Sequence, residues 1–256
     1  MLNISHVIVH TINFIASLLF GMLGVGAAPV FIATIHSLGY PTVATVFPLA
    51  ILLNGVNSGF ALIPFSRGKS VDWSNGVPLS LAAAVFSFIG AYLAVFVPVR
   101  ILLYALVLVL GFLGIRTLMM VKRKEPVDEP DRSRIMAIGT PAAAFAGFFG
   151  GLLAIGGGGI LAPFLLIIGY KMKRASGTTA LVATIASLAG FLGFVAHAHI
   201  PAAFLIESIV VIFVGSIIGA LLAVKVVKPS WLRMVLGLII LASALKMMGN
   251  LVFQIR

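Results

Sequence analysis

The chain runs as far as Arg67 before it meets its first charged side chain. A second uncharged stretch extends from Ile135 to Tyr170. Both outlast the roughly 20 apolar residues that a helix needs to cross a hydrocarbon core of ~30 Å. Hydrophobic residues make up 61% of the 256 and charged residues 9%, against roughly 45–50% and 25% in soluble proteins. A soluble fold has no means of covering that much apolar surface with so few polar groups. The expectation is therefore an all-α polytopic membrane protein.

The charge balance, 17 basic residues to 6 acidic, does not point to nucleic acid. The cations sit in short clusters between apolar runs, with no basic face interleaved with aromatics. Cytoplasmic loops of membrane proteins carry the same excess. Cysteine is absent, which removes disulfides, thiolate metal sites and cysteine nucleophiles. No metal site or cofactor is expected. The first residues lack the positive region of a signal peptide, so the first apolar run is expected to be retained.

The chain reads as two copies of one unit. Phe20-Gly21-Met22-Leu23-Gly24-Val25-Gly26 parallels Gly150-Gly151-Leu152-Leu153-Ala154-Ile155-Gly156, and Gly39-Tyr40 parallels Gly169-Tyr170. Gly59-Phe60 matches Gly190-Phe191, and Ile89-Gly90-Ala91 matches Ile218-Gly219-Ala220. Four anchors in order at nearly constant spacing define a repeat. The expected division is 1–121 and 135–256, with the hydrophilic linker 122–134 between them. Each copy starts with an apolar run, a glycine-rich break and a shorter apolar run, as a re-entrant or discontinuous helix pair. Three longer runs follow, each of spanning length.

Lysine and arginine positions orient the units. With the linker in the cytoplasm, Arg67, Lys69, Lys171, Lys173, Arg174, Lys225, Lys228 and Arg233 fall inside, with Arg116 and the linker cations Lys122, Arg123, Lys124, Arg132 and Arg134. Only Arg100, Lys246 and Arg256 fall outside. The positive-inside rule then places both termini outside and makes the two copies inverted. Inverted repeats with interrupted helices at matching positions are the pattern of secondary transporters, whose substrate site lies near the midplane.

Glycine lets backbone approach a ligand closely, and a helix that starts after a break aims unpaired N–H groups and its positive dipole end at that break. Two such ends facing one another would hold an anion without a buried cation. The candidate substrate-binding residues are therefore Gly24, Gly26, Ala27 and Ala28 in the first copy and Gly156, Gly157, Gly158 and Gly159 in the second. Asn54, Asn57 and Ser58 share one face of the next helix, where Pro48 frees a carbonyl. Ser176, Thr178, Thr179 and Ser187 take the corresponding part in the second copy. Glu207, the acid inside an apolar run, and His197 are the candidates for proton coupling. The remaining partners are the lipid bilayer and a small anionic substrate; a homodimer is among the assemblies left open.

Gly24-Val25-Gly26-Ala27-Ala28 and Ala154-Ile155-Gly156-Gly157-Gly158-Gly159 resemble the sulfite exporter TauE/SafE family. So do Ile160-Leu161-Ala162-Pro163-Phe164-Leu165-Leu166 and Ala175-Ser176-Gly177-Thr178-Thr179. The resemblance covers nearly the whole chain, though Ala27 and Ala28 stand where the family favours glycine. It implies transport of sulfite or organosulfonates such as sulfoacetate through a prokaryotic plasma membrane. Within that implication the glycines and the start of the helix at Ser176 line the pathway. An anion channel without alternating access and a carrier for another small organic anion are the rival readings. Gly55-Val56-Asn57-Ser58-Gly59 has one residue too many for a rhomboid-type protease motif, and Gly68-Lys69-Ser70 lacks the first glycine of a nucleotide-binding loop.

Overall fold

In a computed structural model, described for residues 4–119, 121, 126, 130–228 and positions 230–232, 234, 235, 237, 238, 241, 242, 244, 245 and 248, the described residues are almost entirely helical. Helix α1 (Ile4–Leu23) ends at the first glycine break, and α2 (Ala28–His36) follows it. A five-residue π turn, Thr42–Val46, leads into α3 (Phe47–Arg67); then come α4 (Trp73–Ala94) and α5 (Val99–Met119). In the second half α6 (Arg132–Arg134), a π turn (Ile135–Gly139) and α7 (Thr140–Leu152) run on as one segment to the second break. Helices α8 (Gly158–Ile168), α9 (Met172–Phe194) and α10 (Ala202–Lys225) complete the order. Among the described residues, six helical segments are long and apolar enough to cross a membrane: His6–Leu23, Thr42–Arg67, Trp73–Ala94, Arg132–Leu152, Met172–His197 and Ala202–Lys225. At ~1.5 Å per residue, α2 and α8 reach only part-way.

The packing is reciprocal between the halves. Helix α1 lies against α10 while α7 lies against α4; α3 packs on α10 while α4 packs on α9; α3 and α9 pack on each other. Small residues set these approaches. Gly215 and Gly219 of α10 lie on the backbone of Phe14 and Leu18, and Gly147 and Gly151 of α7 lie on that of Ala83 and Ser87. Lipid supplies no hydrophobic drive between helices, so close backbone contact at glycine is what holds such pairs.

The short helices fold back rather than continuing. His6 at the start of α1 and Tyr40 just beyond α2 both touch the ring of Phe204, so α1 and α2 form a hairpin whose two outer ends share one end of the bundle. Thr34 of α2 donates to Asn13 Oδ1 of α1 at 2.9 Å across that hairpin. The second hairpin enters from the opposite end, where Gly139 lies near Ile168 and Gly169 near Pro130. That end also gathers most of the described cations, Arg100 at the start of α5 excepted. Arg174 meets Asp72, and Lys173 Nζ donates to the carbonyl of Val224 at 2.8 Å. Lys122, Arg123 and Lys124 of the linker, and Arg233, Lys246 and Arg256, lie outside the described residues.

The hairpin tips match residue for residue. Gly24 and Gly26 have φ of +67° and +75°, and Ala154 and Gly156, one repeat later, have +57° and +70°. The backbone bend is therefore a property of the repeat, adopted even where an alanine must enter the left-handed region. The copies part at the next position: Ala27 has φ −108° whereas Gly157 has +73°. This explains why alanine is tolerated in the first tip and glycine is required in the second.

A methyl group at Gly156 would collide with Ser187 Oγ and Asn54 Nδ2, on a backbone already at positive φ. One at Gly159 would meet open space. Gly156→Ala is therefore expected to destabilise the protein by about 3 kcal/mol or more, while Gly159→Ala changes stability by no more than ~1 kcal/mol. Thermal unfolding of the two variants in one detergent checks the contrast; equal losses would contradict it.

Candidate functional site at the hairpin tips

The tips meet inside the bundle. Gly158, the first residue of α8, lies against the carbonyl of Val25, and Gly24 lies against the backbone of Ser176 in α9. Between them stands Asn54, fully buried in the middle of α3. Its Oδ1 accepts from the backbone N–H of Ala28 at 2.8 Å, and its Nδ2 donates to Ser187 Oγ at 3.0 Å. The amide orientation follows from the partners, since Ala28 offers only a donor. Asn54 thus caps α2 from outside its own chain segment and ties it to α9.

Two helix ends facing one anion were expected, and the two starts differ in what their N–H groups do. Asn54 takes the N–H of Ala28, and Pro29 has none to offer. At the second tip no side chain caps α8. The N–H groups of Gly158 and Gly159 have no partner among the described residues. Gly159 is half-buried and faces open space. A helix start with free N–H groups and room beside it is suited to an anion.

The remaining sequence candidates divide by what their polar atoms do. Asn57, Ser58, Ser176 and Thr179 are buried, and both amide atoms of Asn57 and the three hydroxyls have no partner among the described residues. Thr178 and Ser187 are engaged instead, Thr178 Oγ1 by the N–H of Asp72 at 3.0 Å and Ser187 by Asn54. The backbone carbonyl of Asn57 accepts from Ser216 Oγ of α10 at 2.5 Å. Buried amide and hydroxyl groups without partners are costly in an apolar surround and mark places where a polar ligand or water completes the bonding. The carbonyl freed by Pro48 is that of Ala44, four residues earlier, and it accepts the N–H of His199 at 2.7 Å.

Glu207 lies 3.0 Å from His10 Nε2 on α1, not against His197, which is exposed on the turn after α9. The sequence reading missed His10. It also missed Asn13 and Ser17, both fully buried on one face of α1 with polar atoms unpartnered. An asparagine and a histidine inside the first uncharged run were the available signal.

Asp72 was missed as well. It is buried at the basic end of the bundle, where it caps α4 by accepting from Asn75 N–H at 3.2 Å. Its Oδ2 also accepts from Asn75 Nδ2 and from the hydroxyl of Tyr170, both at 2.9 Å, and lies 3.3 Å from Arg174 Nη2. Burial works to raise this carboxyl, but the hydrogen bonds from Asn75 and Tyr170 and the charge of Arg174 outweigh it and hold the group below its ordinary value of 3.8. Burial and the adjoining Asp72 charge push the Tyr170 hydroxyl the other way, so it stays protonated and donates. The latch joins the loop before α4 to the loop before α9. Asp72 at the head of Asp72-Trp73-Ser74-Asn75 is a helix-start signal that the sequence displayed.

The opposite end is built differently. An open pocket of about 570 Å³ lies between the loop after α2 and the loop before α10, lined by Tyr40, Pro41, Ala44, Thr45, His199, Ile200 and Pro201. By the repeat, Tyr40 corresponds to Tyr170 and Ala44 to Arg174, and no acid stands where Asp72 would fall. One end therefore carries a charged network and the other an open pocket.

Among the described residues, a nearly all-helical bundle with six segments able to cross a membrane defines the class as a polytopic membrane protein, and the family it falls in is one of transporters. The chain belongs to the sulfite exporter TauE/SafE family, whose description matches residues 10–247. It is 26% identical to a probable membrane transporter protein, y4hK, of Sinorhizobium fredii, over 92% of this chain and 95% of that one. A probable membrane transporter protein of Methanocaldococcus jannaschii is 25% identical over 93% of this chain and 91% of its own. A third, YdhB of Bacillus subtilis, is 24% identical over 82% and 86%. No solved structure matches the chain.

Two predictions follow from these bonds. Asn54→Ala strands the Ala28 N–H and is expected to cost about 2 kcal/mol or more, whereas Asn57→Ala removes an amide that bonds to nothing and leaves stability within ~1 kcal/mol; denaturation of both in detergent decides. For Asp72 the carboxyl is depressed in the folded protein, so its contribution is complete above pH 3.8 and is lost as the pH falls through the folded value. Asp72→Asn should be about 2 kcal/mol less stable at neutral pH and should lack that part of the acid-induced loss. An acid-unfolding curve unchanged by the substitution would contradict it.

Proposed function

We propose that the chain is a secondary carrier through which small sulfur-containing anions, sulfite or an organosulfonate such as sulfoacetate, leave a prokaryotic cell by alternating access. The observation that carries this reading is the meeting of the two tips. The anion would sit at the uncapped start of α8, beside Gly159, with Asn57, Ser58, Ser176 and Thr179 supplying polar contacts. A pocket of backbone N–H groups, an amide and hydroxyls selects a compact oxyanion by its acceptors, and a neutral site does not trap it on the way out. Family membership supports transport; the sulfur chemistry comes from the family's description.

In this reading the two halves, 1–121 and 135–256, are inverted repeats joined by the linker 122–134, and the basic end faces the cytoplasm. The reciprocal packing of α1 on α10 and α7 on α4 supports the repeat. The latch of Asp72, Tyr170 and Arg174 is then the inner gate and the Tyr40–His199 pocket the outer vestibule, so the structure corresponds to an outward-facing form. A channel needs no such alternation of a closed and an open end.

The membrane potential favours export. One charge moved through 100 mV is worth about 2.3 kcal/mol, so a dianion leaving a negative interior gains about 4.6 kcal/mol, roughly a 2,000-fold gradient. Facilitated export needs no coupling ion, and no coupling role is required of Glu207 or His197.

Counterflow in proteoliposomes tests the proposal, with labelled sulfite outside and sulfite, sulfoacetate or sulfate preloaded. Uptake driven by a preloaded sulfur anion is expected, and a loss of about tenfold or more in Gly159→Leu and Asn57→Ala. A Cβ at Gly159 meets nothing within 4 Å, and the Asn57 amide has no partner among the described residues. No counterflow from folded protein, or full counterflow in both variants, would overturn the carrier or its site.

A further inference from the structure

His6 and His10 are four residues apart and so share one face of α1. Glu207 projects to the same place from α10, the helix on which α1 is packed. One ligand atom from each of the three lies within 4.8 Å of the others, and His10 Nε2 is already 3.0 Å from Glu207 Oε2. No step of the proposed transport uses this group, and it stands apart from the hairpin tips.

We propose that His6, His10 and Glu207 form a site for a divalent first-row transition-metal ion, of the zinc class, that clamps α1 to α10 at the vestibule end. Two imidazoles and one carboxylate are a donor set that such ions accept, with the remaining positions left to water. Bonds of about 2.0–2.2 Å require ligand atoms within roughly 4 Å of one another across the ion. The cluster therefore has to close slightly, and Glu207, whose side chain is 51% exposed, is free to move inward.

Three features distinguish the site from a chance hydrogen bond. The Nδ1 of His10 is buried and has no partner among the described residues, so the ring has a second donor position that the Glu207 contact leaves unused. Phe204 fixes both rings: His10 stacks on it with centroids 5.2 Å apart, and His6 meets it edge-on at 5.8 Å. The same phenyl ring lies 6.4 Å from the ring of Tyr40, which lines the vestibule. An ion bound here would therefore hold the outer end of the first hairpin against α10 and the vestibule wall. The inference stands whatever anion is carried.

The test is metal binding by the purified full chain in detergent, after stripping with a chelator. Zn2+ is titrated by equilibrium dialysis, and Co2+ is followed by its visible absorption. One ion per chain at micromolar Zn2+ is expected, weakened at least about tenfold in each of His6→Gln, His10→Gln and Glu207→Gln and unchanged in His197→Gln. X-ray absorption of the wild-type Zn2+ complex, which needs no variant, should show two imidazoles with oxygen donors. Failure to bind either metal overturns the proposal, as does binding that survives all three substitutions or a spectrum without paired imidazoles. A bare His10–Glu207 hydrogen bond gives the first of these results. Because the readout is bound metal, a negative result leaves the transport reading untouched, and failure of counterflow leaves this one standing.

Discussion

Within hydrocarbon, every backbone N–H and C=O needs a partner inside the protein, and a helix supplies partners everywhere except at its ends. The hairpin tips place two helix starts in the middle of the bundle, far from the ends of the spanning helices. Asn54 is the residue that makes this arrangement tenable. Its two amide atoms bond in opposite directions, to the start of α2 and to Ser187 of α9, and the glycines at 26 and 156 exist to let it stand there. Remove that bridge and the first tip has an orphaned donor and the two tips lose their common support.

The two halves show matching hairpin tips and reciprocal packing, and they differ at particular positions. Ala154 adopts the bend that glycine adopts at 24, so the backbone shape outweighs local preference. Asn54 has no counterpart that caps α8, so among the described residues the start of α8 keeps N–H groups without a partner while the first N–H of α2 is taken. Likewise Tyr170 meets a buried acid and Arg174, while Tyr40 meets Phe204 and an open pocket. An exactly symmetric protein would close both ends equally or neither. These differences give the two ends of the bundle different chemistry, a charged network at one and an open pocket at the other.

Composition and charge spacing were enough to establish a polytopic helical membrane protein, its glycine breaks and the end that collects cations, because these depend on transfer energies and on backbone freedom that each residue carries with it. Several residues singled out around the tips are brought together by the fold, Asn54 with Ala28 and Ser187 among them. What could not be read was the division of labour among those residues. Asn54 and Asn57 look equivalent on a helical wheel, yet the amide of one bonds two partners and that of the other has none among the described residues. Asp72 and His10 were passed over because each gains its meaning from a partner far along the chain, Tyr170 and Arg174 for the first and Glu207 for the second.

The sequence by itself determined which segments enter the bilayer and where their helices must break, for hydropathy and φ preferences are local quantities. Only the tertiary structure decided that the short helices turn back as hairpins, that their tips touch, and that a single helix start remains uncapped. Those outcomes rest on close approaches between residues more than a hundred positions apart, such as Gly158 with Val25 and Asn54 with Ser187. Nothing in the energy of either residue alone specifies the other.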